Sequence, residues 1–377
     1  MRLLVVSRYG HAPSTRPEAE IYLALARTGR YEITVVTDVE SEYVARFRAS
    51  GMRVLLAHPE RRRDREATAA LRAELRRARY DALVLYNSRA IANGVRAARG
   101  MPDLTVVAYR GYAGNLHWYD PANYLKLFHP RVDAIVCNNV GVARHIEANR
   151  WWARGRPITH VVNKGHALEW YAAPAPVDTA ELGVPAGAPL VVCVANAARF
   201  KGVPYLLRAF NEVDPALGAH LVLCGRGMDA PAHRAIVAAG GAGVARRVHF
   251  PGYRDDVFGI VAAADLKVLP SIKGESLTKA VIEAMALGTC ALITDIPGNE
   301  ELLEHGVSGW KVPPRDAPAL ARAIEHLLAD RGLRQNLAHA ARERLAGPLS
   351  HARTVREMDA FFQRVVAAPC RDRPAAT

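Results

Sequence analysis

Two glutamates eight residues apart, Glu275 and Glu283, are the side chains of this chain with the clearest chemical potential. The run Leu266–Leu269 before them is typical of a short buried strand, and the residues around Glu283 follow the apolar period of a helix. A strand–loop–helix unit brings helix-start N–H groups to the carboxyl end of the strand, where a diphosphate can bind. We therefore expect Glu275 at the rim of an anion site and Glu283 about two turns into the helix. The pair could then hold hydroxyls at the two ends of one elongated ligand, such as a sugar and a ribose joined through phosphates.

Positive charge follows another apolar run, residues 190–194. Arg199 and Lys201 come next, and a helical pattern with Pro204 near its first turn begins after them. Two cations at the start of a helix would neutralise a diphosphate and stabilise the charge that develops as it departs. Gly225 marks a further loop in which the backbone can approach a ligand closely, because glycine has no side chain.

The region from Val248 to Asp316 resembles the donor-site signature of the family-4 retaining glycosyltransferases, also called glycosyl transferases group 1. The segments that carry the resemblance are Phe250–Asp256, Gly274–Met285, Glu283–Gly288, Asp295–Glu301 and Val312–Asp316. Members of this family have two Rossmann-like domains that face each other across a cleft, in the GT-B arrangement. The resemblance implies the same α/β fold here, with a C-terminal helix that crosses back to the first domain.

The resemblance also implies a donor, an acceptor and roles for individual residues. The donor would be a nucleotide-diphosphate sugar, and the acceptor a hydroxyl group of a saccharide or a lipid-linked glycan. Glu275 would bind the transferred sugar, Glu283 the ribose, and Lys201 with Arg199 the diphosphate. Further candidate ligand-binding residues lie in loops and at a helix start: Ser276, Leu277, Thr278, Tyr253, Arg254 and Gly225.

The first half departs from the family pattern at two loops. Family members commonly carry paired glycines after the first strand, whereas this chain has the single Gly10, with Arg16 as a nearby donor to an anion. Many members place a histidine after the strand that corresponds to Thr105–Tyr109. Arg110 holds that position here, and His117 follows seven residues later. We expect Arg110 to line the acceptor side, with His117 as a second candidate.

Metal-dependent glycosyltransferases usually hold a divalent ion with a D-x-D pair, and no two aspartates of this chain have that spacing. We predict no metal site and no cofactor apart from the sugar donor as co-substrate. Retention in the family is commonly explained by front-face attack, in which the departing phosphate helps to deprotonate the acceptor. Two alternatives stay open: a GT-B nucleotide-sugar epimerase, and a catalytically silent GT-B partner subunit.

Strand and helix patterns alternate over the 377 residues, which predicts parallel sheets covered by helices. The predicted strands are 3–7, 33–37, 54–57, 82–86, 105–109, 134–137, 158–162, 190–194, 221–224, 248–250, 266–269 and 291–294. Proline and alanine near residue 175 suggest a linker. The expected domains are 1–175, completed by a helix at about 350–366, and 176–349, with a disordered tail at 367–377.

The formal net charge is +13, and 43 of the 50 basic residues are arginine. This charge indicates either attraction to an anionic membrane surface or acidic substrate, or an arginine-rich genome composition. Nucleic-acid binding is not expected, since aromatic residues make up 7% and no binding motif is recognisable. The densest basic stretch, 61–79, is interpreted as one helix with Ala67, Leu71 and Leu75 on its buried side, and with arginines facing either solvent or a membrane surface.

The five cysteines are odd in number and lack metal-site spacing, which favours buried free thiols in a cytoplasmic protein. No apolar run approaches the ~20 residues needed to cross a bilayer. We therefore expect a cytoplasmic chain, with peripheral binding to the inner face of the membrane as an option.

Overall fold

The computed structural model describes residues 1–10, 12–112, 114, 116–149, 158–171 and 175–366, without the side chains of residues 12–14. The chain forms two compact units. Met1–Gly165 and the segment that begins at His351 make up the first, and His166–Ser350 makes up the second. Residues 172–174 of the predicted linker and the predicted tail at 367–377 lie outside the described residues.

The first unit is built on a parallel sheet whose central strands are mostly apolar. Its strands are β1 (Arg2–Val6), β2 (Glu32–Thr37), β3 (Arg53–Leu56), β4 (Ala82–Leu85), β5 (Thr105–Arg110), β6 (Ala134–Cys137) and β7 (Ile158–Val161). Within the described residues their order is β3-β2-β1-β4-β5-β6-β7, and every pair is parallel. The side chains of residues 3–6 are fully buried, as expected for strands covered on both faces.

Helices cover both faces of this sheet. They are α1 (Ala12–Arg27), α2 (Glu42–Ala49), α3 (Arg65–Arg77), α4 (Ser88–Ala97), α5 (Pro121–Tyr124) and α6 (Val140–Asn149). Helix α3 begins after Asp64, whose side chain accepts the N–H of Ala67 and so caps the helix. The prediction of one helix from 61 to 79 is therefore wrong at its start, because Arg61–Arg63 precede the cap. Ala67, Leu71 and Leu75 are buried as predicted.

The second unit repeats the architecture. Its strands are β8 (Leu190–Val194), β9 (His220–Cys224), β10 (Val248–Gly252), β11 (Leu266–Leu269), β12 (Cys290–Thr294) and β13 (Trp310–Val312). Among the described residues these strands form a parallel sheet in the order β10-β9-β8-β11-β12-β13. This is the strand order of a Rossmann fold, in which the order of the strands reverses between β8 and β11.

Seven helices in the described part of the second unit pack on this sheet. They are α7 (Val203–Glu212), α8 (Pro231–Ala239), α9 (Gly241–Ala245), α10 (Val257–Ala263), α11 (Lys279–Leu287), α12 (Ala317–Ala329) and α13 (Arg331–Ala346). Helices α7 and α12 contribute to the largest apolar cluster of the unit, together with β8, β9 and β11. Short 3-10 helices precede several of these elements, among them Arg199–Lys201.

The last helix, α14 (His351–Val365), belongs to the first unit. Its buried residues Met358, Phe361 and Phe362 join the apolar cluster that contains Leu3 and Tyr22. The Asp359 carboxylate accepts the hydroxyl of Tyr31 and pairs with Arg30 at 2.7 Å. The predicted return of the C-terminal helix to the first domain agrees with this packing.

The α/β prediction with two Rossmann-like domains is confirmed, and each predicted strand is present within two residues at either end. Strand β13 was not predicted, because three residues are too short to show a period. Four cysteines are free and buried, while Cys370 lies outside the described residues. Within the part of the chain that the structure describes, no helix combines the length and apolar character needed to cross a membrane.

Candidate functional site

The candidate site of the second unit lies at the carboxyl ends of β8 and β11, the two neighbouring strands between which the strand order reverses. Lys201 is in the loop after β8, and Glu275 is in the loop after β11. Open parallel sheets bind ligands at this point, because adjacent loops leave a crevice there. The topology thus brings together two predicted residues that are 74 positions apart.

Gly202 allows the start of α7 to approach the end of β11. Its backbone has φ +68°, and a Cβ atom at this residue would lie 2.0 Å from the carbonyl oxygen of Pro270. Only glycine fits this position without displacing the neighbouring backbone. Since Gly202 follows Lys201 directly, this close approach also fixes the Lys201 side chain beside the β11 loop.

The loop that carries Glu275 has an unusual backbone. Gly274 has φ +78°, and Leu277 has φ +46°, which is uncommon for a residue with a branched side chain. A Cβ atom at Gly298 would lie 2.0 Å from the Glu275 carbonyl oxygen, and the Leu277 N–H donates to the Gly298 carbonyl. A conformation that costs of order 1–3 kcal/mol is retained only where its surroundings enforce it, and such loops are common at ligand sites.

Glu275 is almost completely buried and receives three side-chain hydrogen bonds. Its Oε1 accepts from the Lys201 ammonium at 2.6 Å and from the Ser271 hydroxyl at 2.5 Å, and its Oε2 accepts from the Thr278 hydroxyl at 2.9 Å. Ser271 is held in turn by Thr294, whose hydroxyl donates to the Ser271 carbonyl. The carboxylate is therefore ordered before any ligand arrives.

Among the described residues, the hydrogen bonds of Glu275 leave one acceptor position open. An ionised carboxylate offers about four lone-pair sites, two on each oxygen. Lys201 and Ser271 occupy those of Oε1, and Thr278 occupies one of those of Oε2. A ligand hydroxyl that binds Glu275 would thus donate to Oε2. Ser271 was not identified from the sequence, although a hydroxyl residue directly after a buried strand was a usable signal.

Glu283 lies on α11, which starts at Lys279, so it is about one turn into the helix and not two. The earlier prediction was wrong because residues 275–278 form a loop and not a first helical turn. Burial raises the pKa of the Glu283 carboxyl, against the opposing effect of Lys279, whose ammonium is 3.4 Å away, and of Lys267.

Lys267 is a second buried cation that the sequence analysis did not assign. It lies on β11 with no exposed surface, and its ammonium donates to the Val194 carbonyl at 3.4 Å. Burial lowers its pKa to about 8, which the attraction of Cys193 and Glu283 partly offsets. The sequence did contain a signal for this buried lysine, because Lys267 lies inside an otherwise apolar run. Such a run is typical of a parallel strand that is covered on both faces.

The remaining predicted residues of the donor loops differ in what they contact. Leu277 packs its side chain into an apolar cluster, and Thr278 binds Glu275. Ser276 is half-buried. Arg199 is exposed, and in the described parts of the chain its side chain makes no hydrogen bond or ion pair, so the structure does not bring it to Lys201 and Glu275.

The loop that carries the predicted ligand-binding residues Tyr253 and Arg254 is held by its own contacts. Arg254 binds Asp256 through two hydrogen bonds of 2.8 and 2.6 Å, while the Tyr253 ring is 60% exposed and lies 5.1 Å from the Arg226 guanidinium. Gly225 has φ +138°, and a Cβ atom there would lie 1.9 Å from the Ala195 carbonyl. The close contact between the loops that carry Gly225 and Ala195 therefore explains this glycine without a ligand.

Three predicted residues belong to the first unit. Arg110 ends β5, and its guanidinium donates to the carbonyls of Tyr112 and Gly114, so it orders the loop that follows. His117 is exposed and stacks on Tyr119 with ring centroids 5.2 Å apart. Arg16 lies on α1 and not in a loop, close to Tyr43; burial raises the pKa of that tyrosine and Arg16 opposes the effect.

Comparison with known proteins agrees with this geometry. Residues 188–330 match the family described as glycosyl transferases group 1. The lipopolysaccharide core biosynthesis glycosyltransferase LpsE of Rhizobium meliloti (strain 1021) is 32% identical over 237 residues, which are 63% of this chain and 65% of the relative. Residues 188–330 are thus similar to the group 1 glycosyltransferases. The family resemblance of residues 248–316 is thereby confirmed.

Other similar proteins agree with this family match. A D-inositol 3-phosphate glycosyltransferase of Salinispora arenicola (strain CNS-205) is 35% identical over 198 residues, 50% of this chain and 44% of the relative. The chain thus spans less than two thirds of the length of either curated relative. The structure of Anabaena Alr3699/HepE in complex with UDP has the same fold, with a TM-score of 0.76 over 97% of this chain and 100% of that one, at 18% identity.

Proposed function

We propose that this protein is a group 1 glycosyltransferase that moves a sugar from a nucleotide-diphosphate donor to a hydroxyl acceptor, with retention of the anomeric configuration and without a metal ion. The observation that carries the proposal is the contact between Lys201 and Glu275 at the carboxyl ends of β8 and β11. It combines a cation suited to a diphosphate with a carboxylate suited to sugar hydroxyls. Support also comes from HepE of Anabaena, which was solved with UDP and with UDP-glucose.

In the proposed mechanism, Lys201 stabilises the negative charge that grows on the departing diphosphate. Its contact with Glu275 orders the ammonium before the donor binds, so little reorganisation is needed during the reaction. The open acceptor position on Oε2 of Glu275 would take a hydroxyl of the transferred sugar. Arg199, which is exposed, would have to change its side-chain conformation to add a second cation.

We assign the ribose to Glu283, because Glu283 lies one turn beyond the start of α11, while the helix-start N–H groups are suited to the diphosphate. Lys267 and Lys279 supply the positive charge that favours the ionised carboxylate despite its burial. An ionised Glu283 accepts hydrogen bonds from both ribose hydroxyls, whereas a protonated one donates and would bind them less well.

Retention is proposed to follow front-face attack, in which an oxygen of the departing phosphate takes the acceptor proton. A protein nucleophile is then not required, and Arg110 and His117 of the first unit are proposed to contact the acceptor. The name of LpsE supports an acceptor from cell-envelope polysaccharide or glycolipid synthesis. Such an acceptor would place the protein in the cytoplasm, at times bound to the inner face of the membrane.

The decisive experiment starts with a thermal-shift screen of UDP-, GDP- and ADP-sugars. A true donor at a hundred times its Kd should stabilise the protein by about 2.7 kcal/mol. The donor found is then incubated with and without saccharide or lipid-linked acceptors, in EDTA and in Mg²⁺, and the anomeric configuration of the product is read by NMR.

Each competing function predicts a different outcome of that experiment. A new sugar isomer formed from the donor alone would identify an epimerase, and the absence of any nucleotide binding would identify a silent subunit. An inverted product would contradict retention. Loss of activity in EDTA that Mg²⁺ restores would contradict the metal-free mechanism.

A further inference from the structure

A surface pocket of about 400 Å³ lies between α3 and α4 in the first unit. This volume is within the range of small-molecule sites, roughly 300–1,000 Å³. Its lining includes four arginines and two neutral polar side chains: Arg63, Arg65, Arg72, Arg96, Thr68 and Asn93. The pocket belongs to the stretch from residue 61 to 99, which contains eleven arginines and four carboxylates.

Two of these arginines are fixed by the protein backbone. The Arg72 Nε and Nη2 donate to the carbonyls of Ala97 and Arg99, at 3.2 and 2.8 Å. The Arg96 Nη1 donates to the carbonyls of Ala92 and Arg62, at 2.6 and 2.8 Å. A guanidinium has five N–H donors, so each retains donors for a ligand after its orientation is set. Both side chains are half-buried, which reduces the entropy lost when a ligand binds.

The positive charge of the pocket is not neutralised by carboxylates. Asp64 also lines the pocket, but its oxygens accept the backbone N–H groups of Ala67 and Glu60, both at 3.0 Å. In the described parts of the chain, none of the four guanidiniums lies within 4 Å of a carboxylate. Burial lowers the pKa of Arg96, and the charges of Arg63 and Arg99 lower it further. The pocket is therefore electropositive.

Asn93 holds the two sides of the pocket together. It is fully buried, and its amide N–H groups donate to the carbonyls of Arg61 and Arg89, at 2.8 and 2.9 Å. Its amide oxygen accepts from the Asp64 N–H and the Thr68 hydroxyl, at 3.0 and 2.9 Å. These contacts join α4 to the loop that enters α3, so the arginine-bearing loop has a defined position.

We propose that the pocket between α3 and α4 binds a phosphate group of a phosphorylated ligand through Arg63, Arg65, Arg72 and Arg96. A phosphate monoester carries more than one negative charge and several acceptor oxygens, which suits several converging guanidiniums better than a single carboxylate does. The phosphate could come from a soluble phosphorylated saccharide or from a membrane lipid. This site is separate from the residues assigned to the sugar donor, and its occupation does not depend on the proposed transferase activity.

The direct test is calorimetric titration of the full chain with glucose 6-phosphate and with inorganic phosphate. The test variant is Arg72→Gln/Arg96→Gln. The matched control is Arg76→Gln/Arg79→Gln, which removes the same charge from two exposed residues of the same region that do not line the pocket. We expect the dissociation constant to rise roughly tenfold or more in the test variant, because charge-assisted hydrogen bonds are lost, and less than about twofold in the control.

Two further variants keep the test decisive. Arg63→Gln/Arg65→Gln removes two exposed charges without touching backbone contacts, so it should fold normally and still weaken binding. Lys201→Ala identifies phosphate bound at the donor site, since it should leave binding to the α3–α4 pocket unchanged. Equal losses of affinity in the test and control variants would show only diffuse electrostatic attraction and would contradict a site. The proposal would also be overturned if the wild-type protein bound neither the soluble phosphates in calorimetry nor the vesicles that contain phosphatidic acid.

The source of the phosphate is decided with phosphatidylcholine vesicles that contain or lack phosphatidic acid. If co-sedimentation requires phosphatidic acid and is lost in Arg72→Gln/Arg96→Gln but not in the control, the ligand is borne by a lipid. If only the soluble phosphates bind in a manner that depends on Arg72 and Arg96, the ligand is a soluble phosphate ester. Both outcomes support the phosphate site. Vesicle binding that is indifferent to the pocket variant, together with no soluble binding, refutes it.

Discussion

Replacing Glu275 with glutamine keeps the shape of the side chain and removes its charge. The amide has one acceptor oxygen, while the carboxylate uses Oε1 for Lys201 and Ser271 and Oε2 for Thr278. If the amide oxygen takes the place of Oε1, then the NH₂ group faces the Thr278 hydroxyl and occupies the position open to a sugar hydroxyl. If the side chain is reversed, Lys201 and Ser271 lose their acceptor. In the first orientation the hydroxyls of Thr278 and of the sugar can accept from the NH₂ group but no longer donate to a carboxylate. Either orientation therefore loses hydrogen bonds to a charged acceptor.

The magnitude follows from these lost contacts. A hydrogen bond to a charged group contributes about 1.5–3 kcal/mol, so we expect kcat/KM to fall by about 2–4 kcal/mol, or roughly 30- to 1,000-fold. The free energy of unfolding should fall by about 1–3 kcal/mol, because the mostly buried Lys201 loses its opposite charge. Affinity for the bare nucleoside diphosphate should be unchanged or slightly higher, since Lys201 is no longer held by a carboxylate.

The assay measures kcat/KM with the donor found by screening, and nucleoside diphosphate affinity by calorimetry, on the same preparation of Glu275→Gln. Glu212→Gln makes the same chemical change at an exposed residue of α7 and serves as the control. If nucleotide affinity falls as far as turnover, then Glu275 contacts the nucleotide half of the donor. If a folded variant keeps full turnover, then Glu275 has no contact with the transferred sugar.

Three further predictions concern the other charged residues of the second unit. Lys201→Ala should lower kcat roughly 10²- to 10³-fold; a rise in KM alone would restrict Lys201 to ground-state binding. Glu283→Ala should weaken nucleoside diphosphate binding by about 1.5–3 kcal/mol in calorimetry, and unchanged affinity would exclude Glu283 from the ribose site. The pKa of Lys267 is about 8 in the folded protein and roughly 10.4 in the unfolded chain. Burial of the charged ammonium therefore lowers the free energy of unfolding below pH 8, and this loss disappears as the pH rises to about 10. Lys267→Met should therefore stabilise the protein by roughly 3 kcal/mol at pH 7 and by much less near pH 10 in urea unfolding; a gain that does not depend on pH would contradict a depressed pKa.

The fold was predictable because both halves repeat the alternation of buried strands and amphipathic helices. The start of α1 is harder to predict, since Pro17 lies inside the helix and proline disfavours a helix interior. The helix continues to Ala12 in spite of one missing backbone donor, and its buried residues include Tyr22 and Leu25. The sequence pattern locates the apolar face of a helix well. It does not show whether the free energy gained by packing that face exceeds the free energy lost with one helix hydrogen bond.

The candidate site was predictable in its charged residues and not in their surroundings. Lys201 and Glu275 were found from loop position and charge, whereas the hydrogen bond from Ser271 to Glu275 depends on the backbone conformation of the loop that holds both residues. The pocket between α3 and α4 was beyond prediction because it depends on a contact between residues distant in the sequence. Asn93 lies about thirty residues from the loop that it anchors, and nothing local in the sequence marks that contact.

The return of α14 to the first unit has a consequence for the order of events during synthesis. Residues 1–165 leave the ribosome long before Phe361 and Phe362, which complete their apolar cluster. At about 5–20 residues per second, this interval lasts roughly 10–40 s. The second unit can finish folding within it, while the first still exposes the apolar surface that α14 will cover. During synthesis, the first unit is therefore the part of the chain most in need of a chaperone. If the ribosome stalls before His351, the apolar cluster of the first unit stays incomplete.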